Sequence, residues 1–226
     1  MIVSQTGLTS IPIFFEQQAK LNKTDALQKI DFLRKAIDQR NTRFLHRREI
    51  YEKTQKNVDK KEKSQALYTK FKQIYGNNYS HQERGRLFEF FLRELFNQQS
   101  IQLDASFRLL GEEIDGTFKF EGENYLVEAK WEDAHTSTQK LYVFAHKTLG
   151  KLHGRGVFIS VHGFSREGIQ AIVIGKQIQT ILIDGEDLSH VLEERITLEK
   201  LLDYKIKAAQ TRGEVYVCPI RESKKI

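Results

Sequence analysis

Residues 113–130 read EIDGTFKFEGENYLVEAK, two runs of strand-forming sequence separated by a turn. The turn is Glu121-Gly122-Glu123-Asn124, a composition typical of a β-hairpin. Folding the chain there places Asp115 opposite the segment from Glu128 to Lys130. Because side chains alternate along a strand, Glu128 and Lys130 share one face. The pattern therefore predicts two carboxylates and one ammonium group side by side, next to an apolar sheet.

This group of side chains suits the hydrolysis of a phosphodiester bond. Mg²⁺ prefers oxygen ligands and usually keeps several waters, so Asp115 and Glu128 are candidate ligands. A bound metal lowers the pKa of its water and neutralises charge on a phosphate under attack. Lys130 could orient that water, help to deprotonate it or stabilise the added negative charge. We therefore predict that Asp115, Glu128 and Lys130 are catalytic residues.

An acidic residue two positions before a lysine is a weak signal by itself, because 29% of the residues are charged. The same spacing occurs in helical or tail segments, at Asp59-x-Lys61, Asp203-x-Lys205 and Glu222-x-Lys224. The alternative for Glu128 and Lys130 is a surface ion pair, which is common in proteins. Their position in a strand, with an acidic residue across the hairpin and Trp131 beside them, favours a catalytic role.

Strand and helix patterns alternate after residue 80, which predicts an α/β domain. Its mixed sheet should have about four to five strands flanked by helices. The helices are expected at 82–97, about 136–150, 165–172 and from 186 onward. The strands are expected at 107–111, 114–120, 125–131, 157–161, 180–183 and 215–218.

The first 80 residues differ from the rest in charge. They contain 16 Lys and Arg against 8 Asp and Glu, whereas residues 81–226 contain 20 against 22. Residues 25–75 have helical apolar spacing without Gly or Pro, and the cluster GNNYS at 76–80 is a boundary candidate. The stretch could form a hairpin of helices, a dimerising coiled coil or a DNA-contacting arm. We expect residues 1–80 to form a basic helical extension for DNA binding, oligomerisation or both, and residues 81–226 to form a nuclease domain.

Composition excludes several other classes of protein. No apolar run approaches the roughly 18 residues that a membrane-spanning helix needs, so we expect no membrane association. The N-terminus lacks the basic region of a signal peptide, and Cys218 is the only cysteine, which fits a cytoplasmic location. None of the seven His residues has metal-ligand spacing with Cys218.

The hairpin motif resembles a known nuclease signature. Ile114-Asp115-Gly116 followed by Leu126-Val127-Glu128-Ala129-Lys130-Trp131 is similar to PD-(D/E)xK, with Ile114 where the name of the signature has proline. The segment Arg84-Gly85-Arg86-Leu87-Phe88-Glu89 resembles the N-terminal helix of the Mrr-like branch, which includes type IV restriction enzymes and archaeal Holliday-junction resolvases. The runs at 156–165 and 181–188 are also similar to that branch, so the resemblance covers about residues 82–218.

The resemblance implies a restriction-endonuclease-like fold with a further acidic metal ligand on the first helix, where Glu89 is the matching position. It implies Mg²⁺ as the cofactor, with Mn²⁺ as a substitute. Read without the resemblance, Glu89 is the flank of an amphipathic helix, paired with Arg93 one turn later. Glu113 is either a reserve ligand or an exposed residue. Lys147, on the helix after the hairpin, is expected on a solvated helix face.

The leading hypothesis is a Mg²⁺-dependent DNA endonuclease of restriction or other genome defence. DNA is the expected partner, and a homodimer is expected because cutting both strands needs two active sites. The chain has no ATPase motif, so any motor or other defence subunit would be a separate chain. The alternatives are a Holliday-junction resolvase or repair nuclease on the same fold, a non-catalytic DNA-binding or interaction module, and an RNA-directed nuclease.

Overall fold

The structure is a computed structural model that describes residues 23–76, 78–109, 112–152, 154–175 and 177–222. The chain divides into two compact units, Met1–Asp59 and Lys60–Ile226. The domain boundary expected between residues 80 and 81 stays a prediction. Within the described ranges, no helix is both long enough and apolar enough to cross a bilayer.

Helix α1, Lys23–Gly76, is a continuous α-helix of 54 residues, and its part up to Asp59 lies in the first unit. The helix predicted over residues 25–75 is confirmed. The alternative of a helical hairpin is wrong, because the stretch contains no Gly or Pro that would break the helix before Gly76. In the first unit apolar side chains such as Phe32 and Tyr51 are exposed, by 71% and 70%. The expected role of this segment in dimerisation or DNA binding stays a prediction.

The second unit begins with the last turns of α1, which pack against helix α2, His81–Gln98. Leu67, Phe71 and Ile74 of α1 are buried in the same apolar cluster as the inner face of α2. Ser80 caps α2 through a reciprocal capping box with Glu83, which fixes where the helix begins. The helix predicted over residues 82–97 is therefore confirmed.

The core of the second unit is a four-stranded mixed sheet. Strands β1, Phe107–Leu109, and β2, Glu112–Ile114, form a separate antiparallel pair. The main sheet has the order β3-β4-β5-β6, with an antiparallel β3–β4 hairpin and parallel pairing elsewhere. Its strands are β3 Gly116–Phe120, β4 Glu123–Lys130, β5 Arg155–Ser160 and β6 Thr180–Asp184.

Helices cover both faces of this sheet, as the alternation of elements predicted. They are α3 Thr138–Leu149, α4 Arg166–Val173, α5 Gly185–Leu192, α6 Leu198–Arg212 and the short α7 Pro219–Glu222. On β4, Val127 and Ala129 belong to the apolar cluster that contains α2, whereas Leu126 packs with the cluster of α3. Strand alternation puts Glu128 and Lys130 on the same face as Leu126, toward α3. The predicted fold, a mixed sheet flanked by helices after a helical extension, is confirmed.

The strand predicted at Val215–Cys218 is wrong. Within the described residues this segment has no strand pairing. The Leu182 N–H on β6 donates a backbone hydrogen bond to the Val215 carbonyl at 2.9 Å. The apolar pattern reflects burial instead: Val215 is 1% exposed and packs beside Phe158 and Leu182. Tyr216 anchors the segment through its hydroxyl, which donates to the Asp184 carboxylate at the end of β6.

Candidate active site

The β3–β4 hairpin sets the position of Asp115. Its two-residue turn consists of Glu121 and Gly122, with φ of 48° and 85°, the left-handed values that a type I′ turn requires. The register pairs Gly116 with Val127, so Asp115, one residue earlier, lies beside the end of β4. The Ala129 N–H donates to Asp115 Oδ2 at 2.9 Å, which fixes the carboxylate against that strand. The predicted hairpin pairing is therefore confirmed.

Asp115, Glu128 and Lys130 meet at this point. Lys130 Nζ lies 2.8 Å from Glu128 Oε1 and 3.3 Å from Asp115 Oδ2. The side chains of Glu128 and Asp115 are 12% and 11% exposed, and that of Lys130 is 30% exposed. The structure thus brings the three predicted residues together in a partly buried position that remains open on one side. Their catalytic role stays a prediction.

Glu89 lies on the open side of this group. It lines a surface cavity of about 700 Å³ together with Glu113 and Lys130, and Trp131 forms part of the wall. Burial raises the pKa of the Glu89 carboxyl, the charge of Asp115 raises it further, and Lys130 opposes the change. Glu89 therefore interacts electrostatically with Asp115 and Lys130, and its role as a metal ligand stays a prediction.

Burial has the largest effect on the pKa values of Asp115 and Lys130. Burial raises the pKa of Asp115, and the attraction of Lys130 only partly offsets it. Burial acts to lower the pKa of Lys130, but attraction to Asp115 and Glu128 outweighs it, so the pKa is raised. Lys130 is thus a firmly protonated hydrogen-bond donor in this arrangement. Carboxylates beside an open cavity, two of which, Asp115 and Glu89, have a raised pKa, are favourable for binding a cation.

The region that contains these residues matches a known protein family. Residues 81–192 match the model of the Mrr catalytic domain, which is described as a restriction endonuclease. This region is an Mrr-type restriction endonuclease domain. The Mrr-type domain contains α2, the hairpin and strands β5 and β6, and therefore all four predicted site residues. Residues 81–192 accordingly form a nuclease domain of the restriction type.

Three solved structures are similar to the chain. They are AspBHI, a DNA modification-dependent restriction endonuclease (16% identity, TM-score 0.39), the MspJI restriction endonuclease in complex with a 27-mer oligonucleotide (19%, 0.36) and AF1548, a protein of unknown function (19%, 0.36). The match to AspBHI covers 66% of this chain and 40% of AspBHI. The match to MspJI covers 73% of this chain and 39% of MspJI, and the match to AF1548 covers 53% of this chain and 76% of AF1548. No curated protein sequence matches this chain significantly.

Lys147 joins the site of the Mrr-type domain, although it was expected on a solvated helix face. Its Nζ donates to the Glu113 carbonyl at 2.9 Å and to Glu128 Oε2 at 3.3 Å, and its side chain is 16% exposed. The expectation was wrong because Lys147 lies at the edge of the buried face of α3, between Phe144 and Thr148. Glu128 therefore has a lysine on each side, Lys130 and Lys147.

A second group of potential metal ligands lies elsewhere in the Mrr-type domain and its C-terminal flank. Glu186, His190 and Cys218 bring their ligand atoms within 4.8 Å of one another, although 28 residues separate the histidine from the cysteine. The guanidinium of Arg221 lies 2.9 Å from Glu186 and already supplies a positive charge there. Among the described residues this is the one group that meets the 4.8 Å limit, so the carboxylates of Glu89, Asp115 and Glu128 are spread more widely.

Proposed function

We propose that the chain is a Mg²⁺-dependent DNA endonuclease of restriction or other genome defence. The observation that carries the proposal is the position of Lys130 Nζ, within 3.3 Å of both Asp115 and Glu128 in a restriction-type domain. A lysine beside two carboxylates at the rim of an open cavity provides what phosphodiester hydrolysis requires, namely metal ligands, a charge-stabilising donor and room for a phosphate.

The donor set fits a hard divalent ion. Asp115, Glu128 and Glu89 would hold Mg²⁺ through carboxylate oxygens, the ligands this ion prefers. The raised pKa values of Asp115 and Glu89 are consistent with this fit, because burial and then the neighbouring carboxylates disfavour their ionised forms, which a bound cation would stabilise. When bound, the ion would supply an activated water and neutralise charge on the phosphate. The spread of the carboxylates leaves space for the waters that Mg²⁺ usually keeps.

Each side chain of the site has a distinct task in this proposal. Asp115 is oriented by the Ala129 N–H, so its second oxygen is available to a ligand. Glu128 is held by Lys147 and Lys130 on opposite oxygens. Lys130 places an ammonium group where negative charge would increase on the phosphate, a role that the raised pKa supports. Lys147 acts as a positioning residue for Glu128.

The assembly around this site is also part of the proposal. Cleavage of both DNA strands needs two sites, so we expect a homodimer, with residues 1–80 contributing to the contact or to DNA binding. A separate ATPase or other defence subunit would be a further partner. Light scattering of the purified chain, with and without DNA, measures whether it forms the expected homodimer.

The proposal is tested by incubating the purified protein with plasmid DNA and with branched DNA, in Mg²⁺ and in EDTA. We expect Mg²⁺-dependent cleavage that is lost in Lys130→Ala. Lys119→Ala is the matched control, since Lys119 is exposed on the same hairpin away from the carboxylates. Equal cleavage by the wild type and Lys130→Ala would point to a contaminant and contradict the proposal. No cleavage of either substrate by the wild type would contradict it for the chain acting alone, and cleavage restricted to branched DNA would favour a junction resolvase.

A further inference from the structure

One face of α2 borders the cavity beside the site. Gln82, Arg86, Glu89 and Arg93 recur every three or four residues, the spacing that places side chains on one side of a helix. All four line the cavity of about 700 Å³ that also contains Lys130. The inner face of the same helix is buried through Phe88, Leu92 and Leu95, so α2 is held rigidly while this polar face stays accessible.

The two arginines on this face are available to a ligand. Arg86 is exposed and Arg93 is partly exposed, and neither forms an ion pair with a residue in the described part of the chain. Arg84 on the same helix is different, because its guanidinium pairs with Asp133 at 2.7 Å. The Arg93 guanidinium lies 5.1 Å from the centre of the Phe90 ring, which orients it, and its charge also acts on the Glu89 carboxylate without forming an ion pair in the described part of the chain. Planar guanidinium groups of this kind bind phosphate oxygens in pairs.

The two arginines lie on opposite sides of Glu89 along the helix. Arg86 precedes Glu89 by one turn and Arg93 follows it by one turn, so they lie on either side of the carboxylate. At a rise of 1.5 Å per residue, the two positions are about 10 Å apart along the helix. Successive phosphates of one DNA strand advance by about 3.4 Å along the duplex axis and lie further apart than that, because the strand also winds around the axis. The long side chains of the two arginines can therefore reach the phosphates on either side of one phosphodiester that lies at Glu89.

We propose that Arg86 and Arg93 bind the backbone phosphates on the two sides of the phosphodiester that is cut, so that α2 lies along the cleaved strand of a DNA duplex. The inference rests on the proposed function and adds the path of the substrate to it. The cavity lining also includes Glu113 and Glu132, and Glu132 is paired with Lys140. The arginines therefore add to Lys130 the positive charge that would keep a DNA strand in a cavity that also contains carboxylates.

The test measures binding separately from cleavage. A short fluorescein-labelled duplex is titrated with Lys130→Ala protein in Mg²⁺ at several NaCl concentrations, and fluorescence anisotropy gives Kd. Each phosphate contact contributes about 0.9 to the slope of log K against log salt. Adding Arg86→Ala or Arg93→Ala to this background should reduce the slope by about 0.9 each, and the two together by about 1.8. Arg86→Lys keeps the charge and should largely keep the slope.

The control variant is Arg195→Ala, because Arg195 is exposed, pairs with Glu193 at 2.8 Å and lies outside the cavity. Its slope should equal that of the Lys130→Ala parent. Unchanged slopes for Arg86→Ala and Arg93→Ala, or an equal change for Arg195→Ala, would overturn the inference. So would a failure of the parent protein to bind the duplex. If the slopes change as expected but the wild type never cleaves, the proposed function fails while the phosphate contacts stand.

Discussion

Replacing Lys147 by methionine would remove the ammonium group that holds Glu128 while keeping most of the apolar stem. Two hydrogen bonds are lost, one to the Glu113 carbonyl at 2.9 Å and one to Glu128 Oε2 at 3.3 Å. Hydrogen bonds to charged groups contribute about 1.5–3 kcal/mol when both partners are shielded from water. Lys147 and Glu128 are 16% and 12% exposed, so we expect a loss of about 2 kcal/mol in the free energy of unfolding.

Urea denaturation in EDTA, followed by circular dichroism, measures this loss. The control is Lys140→Met on the same helix, because Lys140 is 47% exposed and its pair with Glu132 should contribute only about 0–1 kcal/mol. Saturating Mg²⁺ should reduce the deficit of Lys147→Met, since the ion would supply another positive charge to Glu128. A deficit no larger than that of Lys140→Met would refute the conclusion that Lys147 positions Glu128.

Two further predictions concern other charged groups. Lys205→Met should lower the free energy of unfolding, measured by urea denaturation, by about 3–5 kcal/mol, because Lys205 is fully buried and pairs with the buried Asp187 at 2.7 Å. Combining Lys205→Met with Asp187→Asn should recover most of that loss. A Lys205→Met protein as stable as the wild type would contradict the prediction. Glu89→Gln should raise the Tm in EDTA at neutral pH, because burial and the charge of Asp115 raise the pKa of Glu89 above its unfolded value and make the ionised form costly. The wild type gains stability as pH falls through this raised pKa, so the difference in Tm should shrink on acidification, and a difference that grows would contradict the stated sign.

The hairpin and its site could be predicted because they are local. Asp115 and Lys130 are 15 residues apart, the turn at Glu121–Gly122 has the composition of a hairpin turn, and side-chain alternation sets the faces. The same locality explains why the other acid-x-Lys pairs could be set aside. Of those, Asp203 and Lys205 lie in helix α6, where Lys205 pairs with Asp187 instead of Asp203.

Other features depend on contacts that only the folded chain creates. Lys147 reaches Glu128 because Leu141 and Phe144 pack α3 against the sheet, and helical periodicity alone places Lys147 only at the border of that buried face. A lysine next to two buried positions of an amphipathic helix is the signal that could have suggested its role. The grouping of His190 with Cys218 likewise arises from the return of the chain after α6.

The central claim is that the Asp115 carboxylate takes part in cutting DNA, and the initial rate of plasmid nicking by Asp115→Asn in Mg²⁺ tests it most directly. The amide retains an oxygen to accept the Ala129 N–H, so the hairpin should stay intact while the negative charge is lost. We expect the rate to fall by at least about 100-fold, because a weaker hold on the ion removes charge stabilisation at the phosphate, and the loss of one charge-stabilising group typically costs this much. Asp104→Asn, at an exposed aspartate that accepts from the Thr117 hydroxyl, should nick at the wild-type rate. An Asp115→Asn protein as fast as Asp104→Asn would contradict the assignment of the active site.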